Sequence, residues 1–152
     1  MKIVEAANKD MDVVRALFRE YQQWLGIDLC FQGFEHELAT LPGKYAPPRG
    51  VIFLAFEQHD LVGCVAVRVR TGDQAELKRL YVRPDFQGQG IGKKLFETAM
   101  QSARKMGYQS IVLDTLESML TARAIYQSYG FREIDSYYDN PDPTTRYYQY
   151  DF

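Results

Sequence analysis

With 152 residues, 46% of them hydrophobic, the chain has apolar side chains for one sizeable core and little room for a second, so residues 1–152 are expected to form a single domain. Against 20 Asp and Glu stand 18 Lys and Arg, a formal charge of −2 with no cationic run longer than a pair, which excludes the footprint of a nucleic-acid or anionic-membrane binder. No apolar stretch approaches a membrane span, and Glu5 interrupts the first one where a signal peptide would continue, so a cytoplasmic location is expected.

Residues 2–6 read as a short strand. Asn8 can cap a helix with Asp10 and Asp12 near its positive end, along which Val14, Leu17, Phe18, Tyr21 and Leu25 recur at helical spacing before Gly26 ends it. A shorter helical patch over 34–41 runs into the loop 42–50, whose three prolines and two glycines oppose regular structure. Strand periodicity then covers 51–57, 61–70, where Leu61, Val65, Val67 and Val69 share a face, and 75–82, ending at Arg83-Pro84. Residues 91–106 form an amphipathic helix with Ile91, Leu95, Ala99, Ala103 and Met106 inward, followed by a buried strand over 110–113. A helix over 119–129 turns Ala122, Ile125 and Tyr129 inward, and strands over 131–138 and 146–151 close the chain. Cys30 and Cys64 have no CxxC spacing and no histidine at ligand distance, which points to reduced, buried thiols and no metal site. The arrangement that buries every stripe is an α/β (α+β, three-layer) fold: a mixed, mostly antiparallel twisted sheet flanked by helices on both faces.

The segment Gln87-Gly88-Gln89-Gly90-Ile91-Gly92-Lys93-Lys94 lies between a strand and a helix. Three alternate glycines allow a tight turn and a close ligand approach, and the amides of the first helical turn can face an anion such as a diphosphate. A tight turn that merely caps the helix has the same letters. The Gln87–Gly92 run matches the Gln/Arg-x-x-Gly-x-Gly/Ala signature of the GNAT superfamily of acyl-CoA-dependent N-acetyltransferases. The runs Leu80-Tyr81-Val82-Arg83-Pro84 and Ala122-Arg123-Ala124-Ile125-Tyr126-Gln127-Ser128-Tyr129-Gly130-Phe131 are also typical of that superfamily, and the element order is the same. The chain thus resembles that family along nearly its whole length, with residues 8–50 matching in architecture only.

The resemblance implies acetyl-CoA as cosubstrate, with no metal. Its pyrophosphate would rest on the amides of Gln87, Gly88, Gln89, Gly90, Ile91 and Gly92, with Lys93 or Lys94 near a phosphate unless these lysines are a solvated face. The pantetheine arm would run beside Leu80, Tyr81 and Val82 where the strand of Leu80 splays from that of Val112, and the amide of Leu80 or Val82 would polarise the acetyl carbonyl. The resemblance further implies Glu76 as general base and Tyr126 as the acid that protonates the departing thiolate. A carboxylate in an apolar strand can have its pKa raised, whereas the plainer alternative is an ion pair of Glu76 with Lys78, Arg79 or Arg68; the alternative for Tyr126 is a packing aromatic on a helix face. Met119 stands where many family members have an asparagine that bonds the pantetheine arm.

The family's first two helices and last hairpin wall the acceptor pocket, here 21–45 and 137–148, with Arg123 or Arg146 available to hold an acceptor carboxylate. The function this implies is acetyl transfer to a primary amine of a small molecule, amino acid or peptide, by direct attack in a ternary complex. The alternatives are a non-catalytic acetyl-CoA sensor and a protein N-terminal or lysine acetyltransferase. The aromatic last strand, if it lies at a sheet edge, could also contact a second copy in a homodimer.

Overall fold

The computed structural model describes residues 1–30 and 33–152. Seven strands form one sheet in the order β1-β2-β3-β4-β5-β7-β6: β1 Lys2–Glu5, β2 Val51–Glu57, β3 Asp60–Thr71, β4 Gln74–Val82, β5 Ser110–Leu116, β6 Arg132–Ile134 and β7 Thr145–Asp151. Every pairing is antiparallel except β4 with β5. Helices α1 (Met11–Leu25) and α2 (Phe34–Ala39) cover one face, where Val14, Leu17, Phe18, Phe34 and Leu38 pack on Ile52, Leu54, Cys64, Ala66 and Tyr81. Helices α3 (Ile91–Lys105) and α4 (Leu120–Tyr129) cover the other, where Leu95, Phe96 and Met100 meet Val65, Val67, Leu77, Ile111 and Leu113. The expected three-layer mixed sheet is therefore the fold, and among the described residues no helix is long and apolar enough to cross a membrane.

Two bulges decide which side chains face which layer. Residue pairing steps from Ala55↔Gly63 to Phe56↔Leu61, so Val62 is extra on β3 and reverses the alternation beyond it. Leu61 consequently packs with the α1/α2 layer, not beside Val65 and Val67 as a continuous pleat would require. On β4 the pairs Cys64↔Tyr81 and Ala66↔Lys78 leave Arg79 and Leu80 opposite Val65 alone, and Arg79 takes a left-handed φ of 59°. This turn puts Lys78 and Arg79, consecutive in sequence, against the same layer.

The local departures from the sequence reading have local causes. Asp10, not Asn8, caps the start of the first helical segment, its carboxylate accepting from the Ala7 N–H at 2.8 Å. A single 3-10 turn, Gly43–Tyr45, forms inside the proline-rich loop and buries Tyr45. Cys64 is buried, but Cys30 is exposed, since Ile27 and Leu29 take the inward positions of the segment after α1. Strand β6 is only three residues long, and residues 135–138 leave the sheet. The last strand, β7, is not an edge: it pairs with β5 on one side and, at Tyr147, Tyr148 and Gln149, with β6 on the other.

Candidate active site

Strands β4 and β5 are paired only at Gln74↔Ser110, Ala75↔Ile111 and Glu76↔Val112. Beyond that point they diverge, and the gap opens into a cleft of about 720 Å³ that passes between the helical layers. Leu80, Tyr81, Val82, Gln87, Gly88, Gly90, Ile91, Gly92, Lys93 and Tyr126 all line it. Gln89 and Lys94 do not; they face a shallow depression on the other side of the loop, beside Glu57.

The loop end of the cleft is built for an anion. Gly88 and Gly90 hold φ of 80° and 83°, a region open to glycine, and a Cβ at either would meet nothing within 4 Å, so the space in front of the backbone is clear. Gly92 needs no such conformation; a Cβ there would lie 3.6 Å from Val82 Cγ2. The Gln87 side-chain amide donates to the Val82 carbonyl at 2.8 Å and ties the loop to the strand end. The first backbone bond of α3 runs from Lys94 N–H to the Gly90 carbonyl, and no side chain caps the helix. Among the described residues the N–H groups of Ile91, Gly92 and Lys93 thus have no acceptor, and the helix dipole adds its positive end at the same place.

Midway along the cleft stands Tyr126, 5% exposed, with its ring 5.4 Å from Phe96 and 6.2 Å from Tyr148. Burial pushes its phenol well above the usual value, followed in effect by the neighbouring Tyr21 and Asp114, so it stays protonated across the working pH range. Met119 lines the cleft beside Ser118, and its sulfur accepts from the Thr115 hydroxyl at 3.5 Å. At the strand end, Arg83 holds Glu20 of α1 with Nε and Nη2 at 2.9 and 3.0 Å, which fixes β4 against the helix.

Glu76, expected as a catalytic residue, is, like Gln89, absent from the cleft wall. Arg68 grips its carboxylate at 3.0 Å, Lys78 Nζ lies 3.7 Å away, and the Tyr137 hydroxyl donates to it at 2.7 Å. The sequence reading allowed a raised pKa for a carboxylate in an apolar strand. Burial does push that way, but Lys78, Arg68 and the Tyr137 hydroxyl outweigh it and hold Glu76 below the ordinary carboxylate range. A depressed folded pKa adds stability above the unfolded value of about 4.3, which disappears as pH falls through the folded value. The stability gap between wild type and Glu76→Gln, measured by denaturant titration, is therefore expected to be full at pH 7 and to shrink steadily below about pH 4.3; a gap unchanged at pH 3 contradicts this assignment.

In its place the end of the cleft away from the loop presents Asp114, which the sequence reading passed over, beside Lys78 and residues from the expected walls 21–45 and 137–148. Lys78 of β4 and Asp114 of β5 line it, with Tyr138 and Asn140 from the segment after β6 and Tyr21 and Trp24 from α1. The Tyr138 hydroxyl donates to Asp114, and Asn140 donates to the Tyr138 oxygen at 3.0 Å. Asp114 was missed because the strand was read as ending at Leu113; it runs on to Leu116. The available signal was a lone charge in the run Ile111–Leu116, at the alternate position to Val112. Arg123 and Arg146 lie outside the cleft lining, bonded to the Tyr148 hydroxyl at 3.1 Å and to Glu117 at 2.7 Å respectively.

An open sheet split between β4 and β5 thus carries bare amides at one end of the gap and a buried phenol within it. Residues 12–131 match the model of the Acetyltransferase (GNAT) family. A Schizosaccharomyces pombe protein described as an uncharacterized N-acetyltransferase is 43% identical over 141 residues, covering 91% of this chain and 86% of that one. A second, from Dictyostelium discoideum and described in the same words, is 32% identical over 203 residues, covering 93% and 94%. The PaiA N-acetyltransferase of Thermoplasma acidophilum, solved in complex with coenzyme A, superposes with a TM-score of 0.76 at 20% identity over 99% of this chain and 98% of that one. The chain belongs to the acetyltransferase (GNAT) family.

Proposed function

We propose that the chain transfers the acetyl group of acetyl-CoA to a primary amine by direct attack within a ternary complex. The observation that carries this reading is the continuity of the cleft, from the bare amides of Ile91, Gly92 and Lys93, past the β4 edge, to Tyr126 and Asp114. Those amides suit a diphosphate, as do the open approaches at Gly88 and Gly90. The solved relative with coenzyme A supports the same ligand for this site. The unpaired edge of β4 beyond Glu76 offers Leu80, Tyr81 and Val82 to an extended arm, and the bulge at Arg79–Leu80 frees a backbone amide to polarise the acetyl carbonyl.

Bound acetyl-CoA supplies a thioester, an acyl donor that needs no metal to be attacked by an amine. The chain supplies the proton transfers. Asp114, rather than the ion-paired Glu76, is the carboxylate at the cleft wall, and it takes the first proton from the acceptor's ammonium so that a lone pair is available. As the new C–N bond forms and the C–S bond breaks, Tyr126 gives its proton to the sulfur and regains one through the cleft. Of the two protons lost from nitrogen, one thus appears on the thiol and one in solvent. Tyr21, Trp24, Leu25, Ile27 and Leu29 roof the acceptor end, which suits a small amine better than a protein tail. A thiol-release assay with acetyl-CoA and a panel of small amines tests the reading: acceptor-dependent release is expected, and binding of acetyl-CoA without it would leave a sensor.

A further inference from the structure

The peptide that joins Arg79 to Leu80 is turned out of the regular ladder and held from two sides. Its carbonyl oxygen accepts from the Cys64 thiol at 3.2 Å. Cys64 is fully buried in the apolar cluster beneath α1 and α2, and that burial pushes its thiol well above the usual value, so the proton stays on sulfur and the group remains a donor. The Arg79 carbonyl is thus drawn toward the α1/α2 layer. The Arg79–Leu80 bond is trans, and a trans peptide points its N–H opposite to its C=O. The Leu80 N–H is therefore aimed away from Cys64, and Leu80 itself lines the cleft.

The second hold is on the side chain. A φ of 59° at Arg79 is a conformation that any residue with a Cβ resists, so the turn persists only while contacts elsewhere enforce it. Helix α2 supplies such contacts. Glu37 takes Nε and Nη2 of Arg79 at 3.0 Å each, and the guanidinium carbon stands 5.0 Å from the centre of the Phe34 ring. Arg79 is only 4% exposed, which shields this grip from solvent.

We propose that Glu37 and Cys64 are positioning residues for the reaction: through the side chain and the carbonyl of Arg79 they lock the peptide whose Leu80 N–H polarises the acetyl carbonyl of bound acetyl-CoA. This assignment rests on the acetyl-transfer reading and identifies what aims its amide donor. Neither residue lines the cleft, so both act through Arg79 and not on the substrates. A donor fixed beforehand is worth far more than one that must turn as the oxyanion forms.

The test compares Glu37→Gln/Arg79→Gly with Glu37→Gln/Arg79→Ala, two chains that lack the grip, leave no buried carboxylate at position 37 and differ by one methyl group. Glycine accepts positive φ freely, whereas alanine without the grip relaxes toward ordinary strand geometry and turns the peptide. Within a regular strand the order is reversed, glycine being the weaker residue. Two readouts are taken on the full chain: the carbonyl stretch of saturating acetyl-CoA isotopically labelled at the acetyl carbonyl, by infrared difference, and kcat of acceptor-dependent thiol release with the small-amine panel. The stretch is expected at lower frequency in the glycine form than in the alanine form. The glycine form should also be faster by at least about tenfold, a part of the 10²–10³-fold lost with a whole oxyanion donor. An alanine form that equals or exceeds the glycine form in either respect overturns the positioning role. Should neither double variant fold, Cys64 decides: Cys64→Ser retains a donor to the Arg79 carbonyl and should lie nearer the wild-type stretch than Cys64→Ala, and identical stretches overturn the proposal. Absence of release with every amine, while the stretches keep the expected order, overturns the acetyl-transfer reading and leaves the aimed amide as part of an acetyl-CoA sensor.

Discussion

Asp114→Asn is expected to lower kcat/KM for the acceptor by about 10²–10⁴-fold, the range typical of a lost general base, while acetyl-CoA affinity stays near the wild-type value. Asparagine keeps the shape of the side chain and an oxygen to accept from Tyr138, so the loss reports on proton removal more than on packing. Without the carboxylate the free amine must come from solution. The residual rate should then climb by about tenfold per pH unit up to the pKa of the acceptor, roughly 8–10 for a primary amine. Glu76→Gln is the matched comparison, since Glu76 is bound to Arg68, Lys78 and Tyr137 behind the wall. Steady-state kinetics across pH on the two variants separate the roles: if Glu76→Gln shows the larger fall in kcat with the steeper pH dependence, the base is Glu76 and the assignment made from Asp114's position is wrong.

Tyr126→Phe should lower kcat by about 10²-fold or more with little change in acetyl-CoA binding. The ring packs against Phe96, Phe131 and Tyr148, and phenylalanine preserves those contacts, so the fold is expected to be maintained. What disappears is a proton donor whose protonated state is enforced by burial. If the phenol protonates the leaving sulfur as proposed, its loss should be partly masked with a donor whose thiolate leaves more readily, such as an acyl aryl thioester. An equal loss with both donors would place Tyr126 among the packing aromatics.

The two ends of the cleft differed in how far the sequence revealed them. The Gln87–Gly92 loop is legible because its demands fall on single residues: Gly88 and Gly90 need positive φ, and Gln87 bonds back only five residues away. The helices α1 and α3 are legible for a similar reason, each carrying its buried stripe within 15 residues. The acceptor side depends on contacts between distant parts of the chain. Residues Tyr137 and Tyr138 have strong strand propensity, yet they leave the sheet to bond Glu76 and Asp114, which lie 61 and 24 residues away. The left-handed bulge at Arg79 has no local signature, because arginine does not announce positive φ; the bidentate grip of Glu37 from α2 accompanies it across 42 residues. The extent of β5 was hidden by the usual rule that a charge ends a buried strand. It fails here because the parting of β4 and β5 turns one face of the strand into a cleft wall.

Calorimetric titration of the purified chain with acetyl-CoA and with coenzyme A tests the role of the α3 amides most directly. The account predicts saturable binding of both at micromolar to submillimolar concentration, weakened severely by Gly90→Asp, which brings a carboxylate to the face proposed to hold the diphosphate. Absence of binding at millimolar ligand by a folded chain, or binding indifferent to that substitution, would contradict it.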